Sequence, residues 1–325
     1  MDRAEQTKQT LTQLYGRSDS PLAGTDPEFA AIKTRLIYGE VYAEEKLSAK
    51  LRELVILVVA TTNQTMDEVK RHTAAALAAG VRPEEVREAV YHCAPYIGLG
   101  KVENAVKAMD QAFTEHGVAL PLESGQTVTE ESRLADGIAA QKSIFGDHID
   151  AMRSAAPANQ KNIQDYLSAY CFGDFYTRKF LTIPERELLT FAVLSAQGGC
   201  EPQVKAHVGG NAAVGNGKET LLAALTLCMP YIGFPRTLNA LGRTDIEISK
   251  VCVGCMSFGK AGTMHDWTLD EGATEEVVKH ALDVGHQLLR HGQRLFCRDQ
   301  RGISGPGFKE ERQPGQGGHR VQSLL

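Results

Sequence analysis

Residues 38–105 and 172–240 carry the same landmarks in the same order, and that repetition constrains this chain more than any other feature. The first stretch holds His72, Gly80, Cys93-Ala-Pro-Tyr-Ile-Gly98 and Asn104-Ala105. The second holds His207, Gly215, Cys228-Met-Pro-Tyr-Ile-Gly233 and Asn239-Ala240. Each pair stands 135 positions apart. Upstream the spacing is 134: Gly39 pairs with Gly173, Tyr42 with Tyr176, and Arg52-Glu53-Leu54 with Arg186-Glu187-Leu188. A one-residue gap near positions 60–63 absorbs the difference. Matches held in register over such a length mark a duplicated domain.

Periodicity makes each copy helical. Leu51, Leu54, Val55, Val58 and Val59 fall at helical spacing within 47–60, with Ser48 as N-cap. Met66–Ala79 forms a second helix closed by Gly80, and Pro83-Glu84-Glu85 opens a third, with acids where the helix dipole favours them. Pro95 and Gly98 interrupt the third, and 102–117 forms the fourth. Before these, 6–15 and 28–37 read as helices around a turn-rich break at 18–26. The second copy repeats the plan from 130–145, with an added helix at 160–169. No stretch before residue 245 alternates as a strand does. The fold class is all-α: an N-terminal helix and loop (1–27), a first repeat (28–117), a linker (118–129) and a second repeat (130–241).

Composition removes several classes of partner. A charged fraction of 23% with a net charge of -5 gives no basic footprint for nucleic acid. Met1-Asp-Arg-Ala-Glu-Gln-Thr-Lys lacks the apolar core of a signal peptide, and the run Leu54–Ala60 is too short to span a bilayer. Seven cysteines, an odd number without paired Cys-x-x-Cys motifs, suit a reduced cytoplasmic protein and no structural zinc. The expectations are a cytoplasmic chain with a small-molecule substrate, no cofactor, no nucleic acid and no membrane.

The chemistry-bearing residues cluster in the second copy. Gly198-Gly199 precede Cys200-Glu201-Pro202-Gln203, which sets Cys200 at a helix start with Gln203 and His207 on the same face. A cysteine there feels the positive helix end, which favours its thiolate. His207 can take or give a proton near neutral pH, and Glu187 on the preceding helix can orient it. His72 and Glu53 repeat the pair in the first copy, where Thr65 and Glu68 stand at the positions of Cys200 and Gln203. Set against these roles, a helical histidine is often a hydrogen-bonded core residue, and either glutamate can brace its neighbouring arginine. Cys93 and Cys228 read as small buried residues.

Arg-Glu-Leu, the later His, and Pro230-Tyr-Ile-Gly-Phe-Pro-Arg-Thr-Leu-Asn239 resemble the carboxymuconolactone decarboxylase family, which shares its helical fold with the alkylhydroperoxidase D proteins. The resemblance covers residues 28–241 in two copies and implies a homo-oligomer with its active site among these helices. For the decarboxylase branch it implies a cofactor-free reaction on a small acidic, lactone or carbonyl compound. His207, Glu187 and Arg236 then carry the acid–base and charge-stabilising roles, with Tyr231 and Gln203 touching substrate. For the peroxidase branch it implies a Glu, a Cys-x-x-Cys and a His; Glu187, Cys200 and His207 fit, but Gln203 replaces the second cysteine. A non-catalytic assembly or small-molecule binding module is the third reading, because the first copy lacks both thiols.

From Leu241 the character changes. Gly242-Arg-Thr-Asp-Ile-Glu-Ile-Ser-Lys-Val-Cys-Val-Gly254 reads as a strand, followed by Trp267-Thr-Leu-Asp-Glu and a helix at 274–284. Residues 242–285 resemble the start of an aldo/keto reductase barrel. Beyond Gly285 the chain departs from that family, yet its degenerate codons read one base out of phase permit the segment a reductase would carry next. A fused and frameshifted reductase fragment is the expectation, with a disordered tail over 286–325, rich in Gly, Arg and Gln. One βα unit cannot close a barrel, so no reductase activity or nicotinamide site is expected.

Overall fold

The computed structural model describes residues 2–16, 20–42 and 46–244, together with short strands at 252–254, 288–291, 294–297 and 322–323. The chain divides into two units, Met1–Ile246 and Glu247–Leu325. The described residues of the first unit are helices and turns.

In the first repeat, α1 (Arg3–Tyr15) and α2 (Pro27–Thr34) precede α3 (Ala49–Asn63), α4 (Met66–Ala78), α5 (Pro83–His92), the one-turn α6 (Ala94–Ile97) and α7 (Leu99–Glu115). The second contains α8 (Arg133–Phe145), α9 (His148–Ala155), α10 (Lys161–Tyr166), α11 (Ile183–Gln197), α12 (Glu201–Ala213) and α13 (Lys218–Leu241). Ser48 caps α3 as expected, its hydroxyl accepting from the Leu51 N–H. Gly80, at φ +79°, ends α4 in the left-handed conformation that glycine alone adopts freely. Two features differ from the periodicity. Because Pro95 opens α6 and Gly98 redirects the backbone at φ +91°, α7 begins at Leu99 rather than Val102. The helix α9 had no counterpart in the periodicity.

Each repeat also winds one segment as a π-helix, Arg35–Val41 after α2 and Leu167–Tyr176 after α10. Here glycine is required by contact. A Cβ on Gly39 would collide with the Arg3 carbonyl oxygen, and one on Gly173 with the Arg133 carbonyl oxygen. Arg3 pairs with Glu40, and Arg133 with Asp174. Thus α1 stands against its π-segment as α8 does against its own, with matched residues 130 positions apart.

Helices α3 and α11 form the shared centre. Val55, Val58, Val59 and Ala60 pack with Leu189, Phe191, Ala192 and Val193 in one continuous buried core, and removal of such apolar surface from water is the main drive to fold. Lys50 clasps the repeats, reaching Glu85 and Glu185 at 2.7 Å each. By length and composition α13 could cross a bilayer. Its first half is core (Leu221, Ala224, Leu225, Leu227 and Cys228), and Gly233 at φ +75° breaks it into two helices.

In the second unit, β1 (Cys252–Gly254) runs parallel to β2 (Leu288–His291), which pairs antiparallel with β3 (Arg294–Cys297); β3 pairs in parallel with β4 (Gln322–Ser323). The expected strand contains β1. Strands β2 to β4 fall within the stretch read as a tail, which sequence pattern did not anticipate. The helix expected at 274–284 and the rest of 286–325 lie outside the described residues.

Candidate active site

The two carboxylate–imidazole pairs form as their sequence positions suggest. On α11 and α12, His207 Nδ1 lies 2.9 Å from Glu187 Oε2. On α3 and α4, His72 Nδ1 lies 2.7 Å from Glu53 Oε2. Each carboxylate takes a second bond from a tyrosine that follows a π-segment or ends one: Tyr176 donates to Glu187 Oε1 at 2.6 Å, and Tyr42 to Glu53 Oε1 at 2.7 Å. A carboxylate held at both oxygens fixes the imidazole tautomer, leaving Nδ1 protonated and Nε2 outermost. Asn211 ties the second pair further, donating to the Glu187 and His207 carbonyls.

What faces Nε2 differs between the pairs. At His72, Tyr231 Oη lies 3.3 Å from Nε2 and Glu68 Oε2 lies 3.8 Å from it. Glu68 is in turn held by Lys33 at 2.8 Å and Arg71 at 2.7 Å. Burial works against the charge on Glu68, but the two cations outweigh it and keep the carboxyl below its usual range. His72 is fully enclosed, with 0% of its side chain exposed, whereas His207 retains 12%. Leu167, Gln203 and Ala206 occupy the positions of Lys33, Glu68 and Arg71, so the matched positions supply no ion cluster to His207. Among the described residues no hydrogen bond reaches His207 Nε2.

Tyrosines cross between the repeats. Tyr231, expected beside His207, instead caps His72, its ring edge-on at 5.9 Å. Its counterpart Tyr96 lies edge-on to His207 at 6.1 Å. Phe145 covers another side of His207 at 5.4 Å. The sequence reading did not select Tyr96, Tyr42, Tyr176 or Thr190. The recurrence of Tyr42 at Tyr176, ten residues before each Arg-Glu-Leu, was the available signal.

Cys200 caps α12, but its thiol does not behave as the helix end alone suggests. Burial, and then the neighbouring Glu201 carboxylate, push the thiol above its ordinary range. Its Sγ lies 3.3 Å from the Leu194 carbonyl. Arg236 lines the same small cleft with Ser195, Gly198 and Asn239. It donates to the Ala196 carbonyl at 2.6 Å and makes no hydrogen bond to His207 or Glu187 among the described residues. Gln203 is exposed. The geometry therefore joins His207, Glu187, Tyr176 and Tyr96, gives Arg236 and Tyr231 other partners, and places Cys200 in the cleft with Arg236.

A model of the carboxymuconolactone decarboxylase family matches residues 27–111 and again 161–245, one match in each repeat and together more than half of the chain. The 4-carboxymuconolactone decarboxylase of Acinetobacter baylyi is 28% identical over 122 residues, covering 36% of this chain and 91% of that protein. A Burkholderia xenovorans protein of known crystal structure, described as a gamma-carboxymuconolactone decarboxylase subunit, is 21% identical and covers 74% of this chain and 94% of its own, with a TM-score of 0.45. A Schizosaccharomyces pombe protein named as an aryl-alcohol dehydrogenase is 38% identical over 52 residues, 16% of this chain and 15% of that protein. That partial match agrees with the reductase-like fragment.

Proposed function

The chain belongs to the carboxymuconolactone decarboxylase family, and from that premise we propose that Glu187 and His207 carry a cofactor-free decarboxylation, or a related proton transfer, on a small acidic lactone or carbonyl compound. The observation that carries this reading is the Glu187–His207 pair with His207 part-exposed and its Nε2 without a hydrogen bond among the described residues.

The chemistry follows from those atoms. As carbon dioxide leaves, the electron pair of the broken C–C bond passes into a conjugated carbonyl of the substrate, which serves as the electron sink. The imidazolium form of His207 delivers its Nε2 proton to carbon and restores the carbonyl, and solvent reprotonates the ring. Glu187 stabilises the imidazolium and holds its plane, while the Tyr176 bond keeps the carboxylate from rotating. Phe145 and Tyr96 wall the site and keep water from competing for the carbanion.

The thiol alternative draws less support. A raised Cys200 thiol is a weak nucleophile at neutral pH, and Gln203 offers no resolving sulfur. The deciding assay measures carbon dioxide release from γ-lactone carboxylates and β-keto acids by the full chain and two variants. Release retained by Cys200→Ser and lost by His207→Ala supports the proposal. Loss in Cys200→Ser together with hydroperoxide consumption would replace it with the peroxidase reading. A ligand bound equally by His207→Ala, without turnover by any variant, would mark a binding module.

A further inference from the structure

The same tyrosine motif treats the two histidines differently, and the cause lies beneath the rings. In the second site the buried hydroxyls form a closed chain, with Thr190 Oγ1 also 2.9 Å from Tyr176 Oη. Tyr176 spends its one proton on Glu187 Oε1 at 2.6 Å. Thr190 Oγ1 donates to Tyr96 Oη at 3.0 Å, and Tyr96 Oη lies 3.1 Å from Tyr176 Oη. With the Tyr176 proton on Glu187, that of Tyr96 points inward, to Tyr176 or Thr190. At the head of the chain His92 Nε2 lies 2.9 Å from Thr190 Oγ1 and 3.2 Å from the Arg186 carbonyl. Its Nδ1 is buried without a partner, as expected of a neutral ring protonated on Nε2. Burial, reinforced by Arg186, keeps that ring neutral.

In the first site the two upper members of this chain are missing. Ile56 stands at the position of Thr190, and Leu227 at that of His92; both are buried. Among the described residues the Tyr42 hydroxyl, in the place of Tyr176, bonds Glu53, and Tyr231 has no counterpart of Thr190 to hold its own hydroxyl inward. Since a phenol seldom stays buried unsatisfied, its hydroxyl turns to His72 Nε2 at 3.3 Å.

We propose that Thr190 and His92 are positioning residues: they draw the Tyr96 hydroxyl inward and so keep His207 Nε2 open, while Ile56 and Leu227 let Tyr231 close His72. The consequence for catalysis rests on the reading of His207 as the working proton donor, but chemical modification reads Nε2 directly, so the two fail separately.

The test compares the rate of His207 carbethoxylation by diethyl pyrocarbonate, mapped by mass spectrometry, across variants of the full chain. Thr190→Val with His92→Leu is expected to slow modification about five- to tenfold, the factor one net hydrogen bond to a buried group supplies. Adding Tyr96→Phe removes the capping hydroxyl and should restore the wild-type rate, which misfolding would not. Thr190→Ser alone keeps the hydroxyl and should react as wild type. An unchanged rate in the double variant, or a rate still depressed after Tyr96→Phe, overturns the proposal.

Discussion

Around Glu53 and His72 the chain places Tyr42, Tyr231, Glu68, Arg71 and Lys33; around Glu187 and His207 the matched positions hold Tyr176, Tyr96, Gln203, Ala206 and Leu167. The inner shell is the same in both: a tyrosine, a glutamate and a histidine in one hydrogen-bonded line. Among the described residues the surroundings are charged and closed over His72, and leave the Nε2 of His207 without a partner. The pair itself is therefore a feature of the fold, which both copies keep. Access to Nε2 is the property that only one copy has.

The strongest way to break this comparison is to remove each imidazole in turn. His207→Ala should lower kcat/KM by at least about a hundredfold, the lower range for a lost acid–base group, while His72→Ala stays within a few-fold. Equal losses in steady-state assays would mean that the buried site also works. Stability should show the reverse order. His72→Ala leaves the Glu53 carboxylate buried without its partner and should cost about 3–5 kcal/mol in urea unfolding. His207→Ala also leaves Glu187 buried, but water entering at the part-exposed ring position can solvate that carboxylate, so the cost should be smaller, about 1–3 kcal/mol.

Gly210 sharpens the contrast on the backbone side. A Cβ there would lie 2.5 Å from Glu187 Oε2 and 3.0 Å from Phe145, whereas Ala75 is accepted at the matched position. Gly210→Ala should cost about 1–3 kcal/mol by overpacking and lower kcat by displacing Glu187. A variant with wild-type kcat would show that the carboxylate position is not critical. The smallest effect concerns Cys200. Because its thiol is pushed up, it stays protonated at neutral pH. Iodoacetamide should modify it slowly there and faster as the pH rises through and beyond the ordinary thiol range. Rapid alkylation at pH 7 would contradict the geometry.

Much of this was legible in the chain. The repeat register, the caps at Ser48 and Gly80, and both carboxylate–imidazole pairs followed from spacing, because each depends on neighbouring helices with short connections. Tyr231 was misplaced for a physical reason. It lies 24 residues from His207 but contacts a histidine 159 residues away, and helix spacing carries no information about which repeat a ring enters. Cys200 misled because helix-end electrostatics can be read from sequence, whereas burial beside Leu194 and repulsion from Glu201 cannot be weighed until the chain folds. The kinship of α1 and α8 was hidden by a change of offset to 130 and by few shared residues, among them Arg3 and Arg133, and Gly16 and Gly146, with the aromatic Tyr15 matched by Phe145.

The exchanged tyrosines carry a consequence for ancestry. Each repeat lends the other a ring, so neither half contains a finished pocket, and a chain cut at the linker would separate His72 and His207 from the tyrosines that cover them. Were the partners two separate copies of one gene product, any substitution would strike both pockets at once. Joined end to end, they can diverge. One copy is free to gain ionic mortar and become foundation, while its sibling keeps a doorway.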